Sequence, residues 1–385
     1  MKYLKYTLLI ILTMAALAII VGKLMGAKVH YDDNPLALNW DNEGPYIFFK
    51  NGRELDVHYI KRDKGGEYYS TQQGFPIGSL ISASSYYPLD NTSFNFEVKT
   101  DFEIPKSTYN DNNKILAISD IESNYKTFRN FLINSKVIDE NLNWTFGKGH
   151  LVLVGDFIDR GYFTTQVLWF IYKLEQEAEK QGGNVHYIIG NHELKMMHGN
   201  YAAADPKYRD IASILGKKEI ELYSANSLIG KWLASKNALE IINGNLFVHG
   251  GLHPDLAESK LTLEQMNQVI RANYHYAFDP ASSIIQDELL ISTKTGPCWY
   301  RGYFKDDLTQ QQVTLGLKKF NAKSIIVGHT LQTKVNRLYD GKVIGIGVSH
   351  PNDDHKLWPE GKSEGLLIAG DKYYRVFDNG EKQDI

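Results

Sequence analysis

Short apolar runs that each end in a polar cluster recur along residues 114–330, and this pattern constrains the fold more than any other feature of the chain. The run at 114–119 reads as a buried strand and ends in Ser119-Asp120-Ile121-Glu122. Residues 125–137 follow as a helix. His150–Val154 is a second strand, ending in Gly155-Asp156-Phe157-Ile158-Asp159-Arg160-Gly161. Thr164–Lys180 carries apolar residues at helical spacing, at Val167, Leu168, Phe170, Ile171 and Leu174. A third strand at 184–189 ends in Gly190-Asn191-His192-Glu193. A hairpin at 239–248, turning at Asn243-Gly244, ends in His249-Gly250-Gly251. Ser324–Val327 leads into Gly328-His329-Thr330, and hairpins at 335–348 and 366–376 turn at Asp340-Gly341 and Gly370-Asp371. Strand–helix–strand alternation followed by hairpins predicts an α/β core with mixed sheets.

Ligands of α/β sheets bind outside the carboxyl ends of strands, so the five clusters can converge on one crevice. Their glycines permit the tight turns and close backbone approach that such a crevice requires. Each cluster alone has an ordinary explanation. Asp120 could cap the next helix, Asp159-Arg160 could be a surface ion pair, and His329 could be a satisfied turn histidine. Five together, in this order and at strand ends, argue for a site.

The other segments read differently. Residues 29–110 are rich in Tyr, Phe, Asn, Asp and Gly, with strand-like runs at 46–50, 55–60 and 94–98 and no catalytic pattern. They read as a β-rich preamble to a domain at 111–385. Segments 194–238 and 252–322 are helical in pattern and lie between core strands, which makes them candidate caps over the site. At the N-terminus Lys2 and Lys5 precede an apolar stretch from Tyr6 to Gly22, broken only by Thr7 and Thr13. That length suits a membrane anchor. A cleaved signal sequence has a shorter apolar core, and a cut after Ala27 would set Met25 where a small residue is favoured. Residues 1–28 are therefore expected to be a membrane anchor or a signal sequence. The basic end stays cytoplasmic, so the rest of the chain faces the periplasm or outside, or is secreted to the periplasm after cleavage.

Lys and Arg number 42 and Asp and Glu 45, a net charge of −3, so no basic excess exists to neutralise a nucleic-acid backbone. The single cysteine, Cys298, excludes an intrachain disulfide and a thiolate metal cluster. Any metal ligands must come from His, Asp, Glu or Asn.

Gly-Asp-x-x-Asp-Arg-Gly at 155–161, Gly-Asn-His-Glu at 190–193, His-Gly-Gly at 249–251 and the late His329 resemble the motifs of calcineurin-like metallophosphoesterases. The pattern is most similar to the phosphoprotein phosphatase branch in its bacterial, Shewanella-like variety, and it covers roughly residues 112–378. The resemblance implies a four-layer α/β/β/α sandwich and a site for two divalent metal ions. Asp120 and Glu122 would hold the first metal, Asp156 would bridge both, and Asn191, His249 and His329 would hold the second. Carboxylate and imidazole ligands suit Zn, Mn and Fe, and a metal pair can activate water and clamp a phosphoryl group. His192 would be the general acid, with Asp159 as the carboxylate that orients it. Arg160 resembles a phosphate-binding arginine, and Arg301, just before Gly302, fits a second. The family usually has His where this chain has Glu122. The additional carboxylate favours harder ions, so Mn is expected, with Zn, Fe or Mg as alternatives.

The function implied is metal-dependent, protein-phosphatase-like hydrolysis of phosphomonoesters by a two-metal-activated water. Its partner would be a phosphorylated protein or small molecule, with no nucleic acid, and the N-terminal segment would engage the membrane. Alternatives are a pyrophosphatase acting on a nucleotide or lipid precursor, or an exported binding protein with a metal site degenerate at Glu122. His192, Asp159 and Arg160 together argue against a mere binder. His198 and His253, just after motif residues, are candidates to line the site. His30, His58, His150, His186, His275, His350 and His355 match no motif and read as surface or structural, and Cys298 reads as packed rather than nucleophilic.

Overall fold

The computed structural model describes residues 2–24, 27–277, 285–305 and 307–385. It begins with α1 (Lys2–Leu24), whose large apolar side chains from Tyr3 to Val21 are exposed. A short strand, β1 (Val29–Tyr31), follows. β2 (Glu43–Lys50), β3 (Glu54–Arg62) and β4 (Tyr68–Pro76) form an antiparallel sheet, and β5 (Ile81–Tyr87) pairs with β6 (Thr92–Val98). After β7 (Thr108–Tyr109) strands and helices alternate as β8 (Ile115–Ile118), α2 (Tyr125–Asn134), β9 (His150–Val154), α3 (Thr164–Lys180) and β10 (Asn184–Ile188). Three helices, α4 (Asn191–Met197), α5 (Lys207–Ile214) and α6 (Leu228–Ala234), lead to the hairpin of β11 (Leu239–Ile242) and β12 (Asn245–Val248). α7 (Leu263–Ala272), α8 (Ile285–Ile291) and α9 (Gln310–Lys319) precede β13 (Ser324–Val327), β14 (Asn336–Leu338) and β15 (Val343–Gly345). The chain closes with β16 (Lys356–Trp358), β17 (Glu364–Ala369), β18 (Lys372–Phe377) and β19 (Lys382–Asp384).

Among the described residues two six-stranded sheets form the centre, in the orders β10-β9-β8-β17-β18-β19 and β14-β15-β13-β12-β11-β7. β10, β9 and β8 run parallel in the first, and β15, β13 and β12 in the second. Side chains alternate along a strand. Ile115, Ala117, Val152 and Val154 of the first sheet therefore meet Phe247, Ile326 and Ile344 of the second in one buried cluster. The intervening residues Leu116, Ile118, Leu151 and Leu153 join Phe128 and Phe131 of α2 and Phe170 of α3. On the far side Leu246, Val248, Ile325 and Val327 join Met266 and Ile270 of α7 and Val313 and Leu317 of α9. Sheet stacks on sheet between helical layers, which is the expected α/β/β/α sandwich.

The N-terminal strands pack on α3 and share its core. Phe96 stacks on Trp169 with ring centroids 4.6 Å apart, and the Trp169 indole donates to the Pro45 carbonyl at 2.9 Å. Covered by strands as well as by its own sheet, α3 buries polar side chains too, among them Gln166, Lys173 and Gln176. Within 194–238, α5 and α6 pack against β4 and β2. Some predicted elements end early. The helix expected over 125–137 stops at Asn134, because Lys136 turns to a positive φ of 58° and Val137 goes into the core. The strand expected to Ile189 stops at Ile188.

Candidate active site

The ends of β8, β9, β10, β12 and β13 deliver their polar clusters to one place. Asp120, Glu122, Asp156, Arg160, Arg301 and His329 line a cleft of about 320 Å³. Asn191, Lys195 and Trp299 line its continuation past Arg301 and His329. The loops are laced together by backbone bonds, from Asp120 N–H to the Gly155 carbonyl at 3.0 Å, Glu122 N–H to Asp156 at 3.1 Å and Ser123 N–H to Phe157 at 2.8 Å. Glu193 adds a second lace. Its buried carboxylate accepts from the Asp156, Phe157 and Gly190 N–H groups at 3.0, 2.9 and 2.8 Å, and from the Tyr187 hydroxyl at 2.9 Å.

This crowding distorts the chain. Asp120, Glu122, Asp156, Asp159, Arg160 and His329 all have φ between 52° and 66°. Side-chain-bearing residues seldom adopt that region, and each instance costs about 1–3 kcal/mol that the surrounding packing must supply. Gly155, at φ 75°, has no room for a side chain, since a Cβ there would sit 2.5 Å from the His249 ring. A Cβ on Gly190 would meet an Asp156 oxygen at 2.4 Å.

Four donor atoms converge beside these glycines. His249 Nε2 lies 3.0 Å from Asp156 Oδ2, 3.1 Å from Asn191 Oδ1 and 3.1 Å from His329 Nδ1. Among the described residues Asp156, His249 and His329 form a buried group able to hold a metal ion. Backbone carbonyls set the two rings for that task. His249 Nδ1 donates to the Val154 carbonyl at 2.7 Å, so its Nε2 lone pair points inward. His329 Nε2 donates to the Trp299 carbonyl at 2.9 Å, so its Nδ1 lone pair points inward. Such outer bonds fix the tautomer of metal-ligating histidines. Four lone pairs so placed repel one another unless positive charge sits among them. Burial pulls the His249 imidazolium down, yet Asp156 and Asp120 outweigh it and raise His249 to about 9. Burial, with His249 and Arg301 close by, lowers His329 to about 2. Burial raises the Asp156 carboxyl, but His249 outweighs it and holds it well below the usual range. The residues therefore fit a divalent cation in both donor type and charge.

Asp120 stands next to this group, accepting from the His329 N–H at 3.1 Å, and burial raises its carboxyl. Glu122 is held instead by the Arg160 guanidinium, and burial, only partly opposed by Arg160, raises it to about 7. Arg160 also donates to His192 Nε2 at 3.1 Å. On the other edge of that ring, His192 Nδ1 donates to Asp159 Oδ2 at 2.8 Å, and the His192 N–H donates to Asp156 Oδ1 at 2.9 Å. Arg301 reaches in from its own loop and donates to the His329 carbonyl at 2.5 Å.

The sequence reading left Glu193 without a role, although it stands inside the Gly-Asn-His-Glu motif. His350 and His355 match no motif and are expected at the surface or in structural roles; the structure puts both on the cleft wall with Lys28, Asn352 and Leu357, contributed by distant parts of the chain that no local motif marks. His198 Nε2 donates to the Asn273 carbonyl at 3.1 Å, and His253 packs edge-on to Tyr300; neither lines the cleft. Cys298 is buried, its sulfur 3.3 Å from the Ile189 carbonyl, and burial pushes its thiol up, away from nucleophilic use.

Comparison with known proteins places the chain by family and fold. Residues 113–332 match the family described as calcineurin-like phosphoesterase. The crystal structure of a cold-active protein-tyrosine phosphatase from a psychrophilic Shewanella species superimposes with a TM-score of 0.77 at 29% identity, covering 89% of this chain and 98% of that one. Shewanella-like protein phosphatase 1 of Plasmodium berghei is 28% identical over 240 residues, covering 57% of this chain and 62% of the relative. Shewanella-like protein phosphatase 2 of Arabidopsis thaliana is 26% identical over 229 residues, covering 48% and 56%. The chain thus spans about three fifths of the length of these two relatives.

Proposed function

We propose, on the premise that this chain belongs to the calcineurin-like phosphoesterase family, that it hydrolyses phosphomonoesters of a protein or small molecule. The observation that carries the reading is the placement of the His192–Asp159 pair and Arg160 against the four converging donors. Asp156, Asn191, His249 and His329 would hold one divalent cation, and Asp120 and Glu122 with Asp156 would hold another, with Mn favoured by the oxygen-rich set. Bound there, such cations acidify water and neutralise phosphoryl charge.

The chain's own residues supply the remainder. Arg160 and Arg301 would grip phosphoryl oxygens, a task suited to the planar guanidinium. In hydrolysis the oxygen of water joins phosphorus, the ester P–O bond breaks, and the departing alcohol oxygen needs a proton. His192 would give it from Nε2 while Asp159 keeps the Nδ1 proton in place. In the structure Nε2 accepts from Arg160, so it cannot carry a proton while that bond stands. A phosphoryl group that draws Arg160 away frees Nε2 to be protonated, which couples substrate arrival to acid readiness. α1 would anchor the chain in a membrane, with the cleft on the non-cytoplasmic side.

Turnover of an aryl phosphomonoester with and without a chelator tests the reading. Activity should vanish in chelator and return with Mn²⁺ more than with Zn²⁺. Full turnover in excess chelator, with no retained metal by elemental analysis, would end it.

A further inference from the structure

One wall of the cleft is a two-stranded ribbon of β1 and β16. Val29 pairs with Trp358, His30 with Leu357 and Tyr31 with Lys356. Side chains alternate, so Val29, Tyr31, Trp358 and Lys356 share one face, and His30 and Leu357 the other. The second face belongs to the cleft. Leu357 lines it, and His30 stacks at 4.0 Å on His355, another wall residue. The first face looks away and is open, with Val29 59%, Tyr31 46% and Trp358 45% exposed. Lys28, next to the ribbon, also lines the cleft and donates to Ser349 Oγ at 2.5 Å.

Chain length links this wall to α1. The helix ends at Leu24, four residues before Lys28, and four extended residues reach at most about 14 Å. α1 has 23 residues, enough to cross a hydrocarbon core. With α1 across a bilayer, the link leaves no slack to hold the cleft far from the headgroups. Tyr and Trp beside an aliphatic residue are the side chains that settle at a membrane–water interface. Lys356 pairs with Asp32 at 2.5 Å, so that pair adds no net charge to this face.

We infer that the outward face of the β1–β16 ribbon rests on the bilayer that holds α1, and that the cleft takes a phosphomonoester borne on a lipid headgroup at that surface. The inference rests on the phosphoesterase reading and on α1 as an anchor. A lipid phosphate lies within the reach set by residues 25–28. A folded protein substrate, about 30 Å across, must approach from the side away from the bilayer, where the ribbon gives it nothing.

The test uses the full chain, metal-loaded, in phosphatidylcholine vesicles with three substrates: phosphatidic acid in the same vesicles, glycerol 3-phosphate in solution, and a phosphoserine peptide. Phosphatidic acid should be the best of the three by kcat/KM. Trp358→Ser combined with Val29→Ser should lower phosphatidic acid turnover about tenfold, the order expected from losing part of two buried apolar side chains, and leave glycerol 3-phosphate turnover unchanged. Brominated lipids should quench tryptophan fluorescence more in the parent chain than in Trp358→Phe. Preference for the peptide, equal losses on lipid and soluble substrates, or no Trp358-dependent quenching would each overturn the inference. Recovery of a chain that begins after Ala27 and does not sediment with vesicles would overturn it through the anchor. No turnover of any substrate, with Trp358-dependent quenching retained, would strike the phosphoesterase reading and support the docking.

Discussion

Lys207 offers a sharp test of how the N-terminal strands support the site. Its ammonium is buried, 3.0 Å from Glu43 Oε2 on β2 and 2.7 Å from the Tyr162 carbonyl, two residues past Arg160. Glu43 also accepts from Gln166 at 2.9 Å and Tyr46 at 3.1 Å, and the Tyr162 carbonyl also accepts from the Tyr208 hydroxyl at 2.8 Å. Lys207→Met keeps the apolar stem, so little cavity forms, and the Tyr162 carbonyl keeps one partner. What remains is a buried carboxylate without its cation, a loss of about 3–5 kcal/mol. The surviving bonds to Glu43 place the expectation near the lower end, about 3 kcal/mol. Adding Glu43→Gln removes the stranded charge and should restore about half of that, so the two substitutions should be strongly non-additive. Urea unfolding would show this as a lower midpoint at constant m-value for the single variant and a partial return for the double. Inhibition by inorganic phosphate should weaken in Lys207→Met, because the chain beside Arg160 is freed on one side. A cost below about 1 kcal/mol, or additive effects, would refute the idea that this pair is a closed, water-excluded unit.

Three further outcomes are expected. His350, buried between the Ser119 carbonyl at 2.9 Å and Ser363 Oγ at 3.0 Å, is lowered by burial to about 4. The unfolded chain therefore binds the extra proton between pH about 6.5 and 4, and about 3 kcal/mol of stability present above that window should be lost as pH falls through it; His350→Gln should flatten the slope of urea midpoint against pH. His192→Asn should slow an alkyl phosphate about a hundredfold more than an activated aryl phosphate in steady-state assays, because only the poor leaving group needs its proton. Glu122→Ala should lower metal affinity by titration calorimetry, with turnover partly recovered in excess metal; unchanged metal binding with tighter phosphate inhibition would make Glu122 only a partner of Arg160.

The motif residues were legible because each stands where an apolar strand stops, and a charge or imidazole at that point has few structural uses. Asp120, Asp156, Asn191, His249 and His329 fall together for that reason, as do Asp159, Arg160 and His192. The features that orient them were not legible. The Val154 and Trp299 carbonyls that set the two tautomers are backbone atoms, which any residue type would supply. The wall formed by Lys28 and His355 joins positions more than 300 residues apart in a way no local pattern encodes. Glu122 shows where residue type and offset run out. Two residues after Asp120, it has the reach of a metal ligand, yet its carboxylate lies on Arg160, whose other arm covers His192 Nε2. An imidazole at 122 could not hold the guanidinium by charge in its neutral form. A carboxylate there ties the phosphate-gripping arginine and the general acid into one unit, so that anion binding at Arg160 competes with Glu122 and His192 alike.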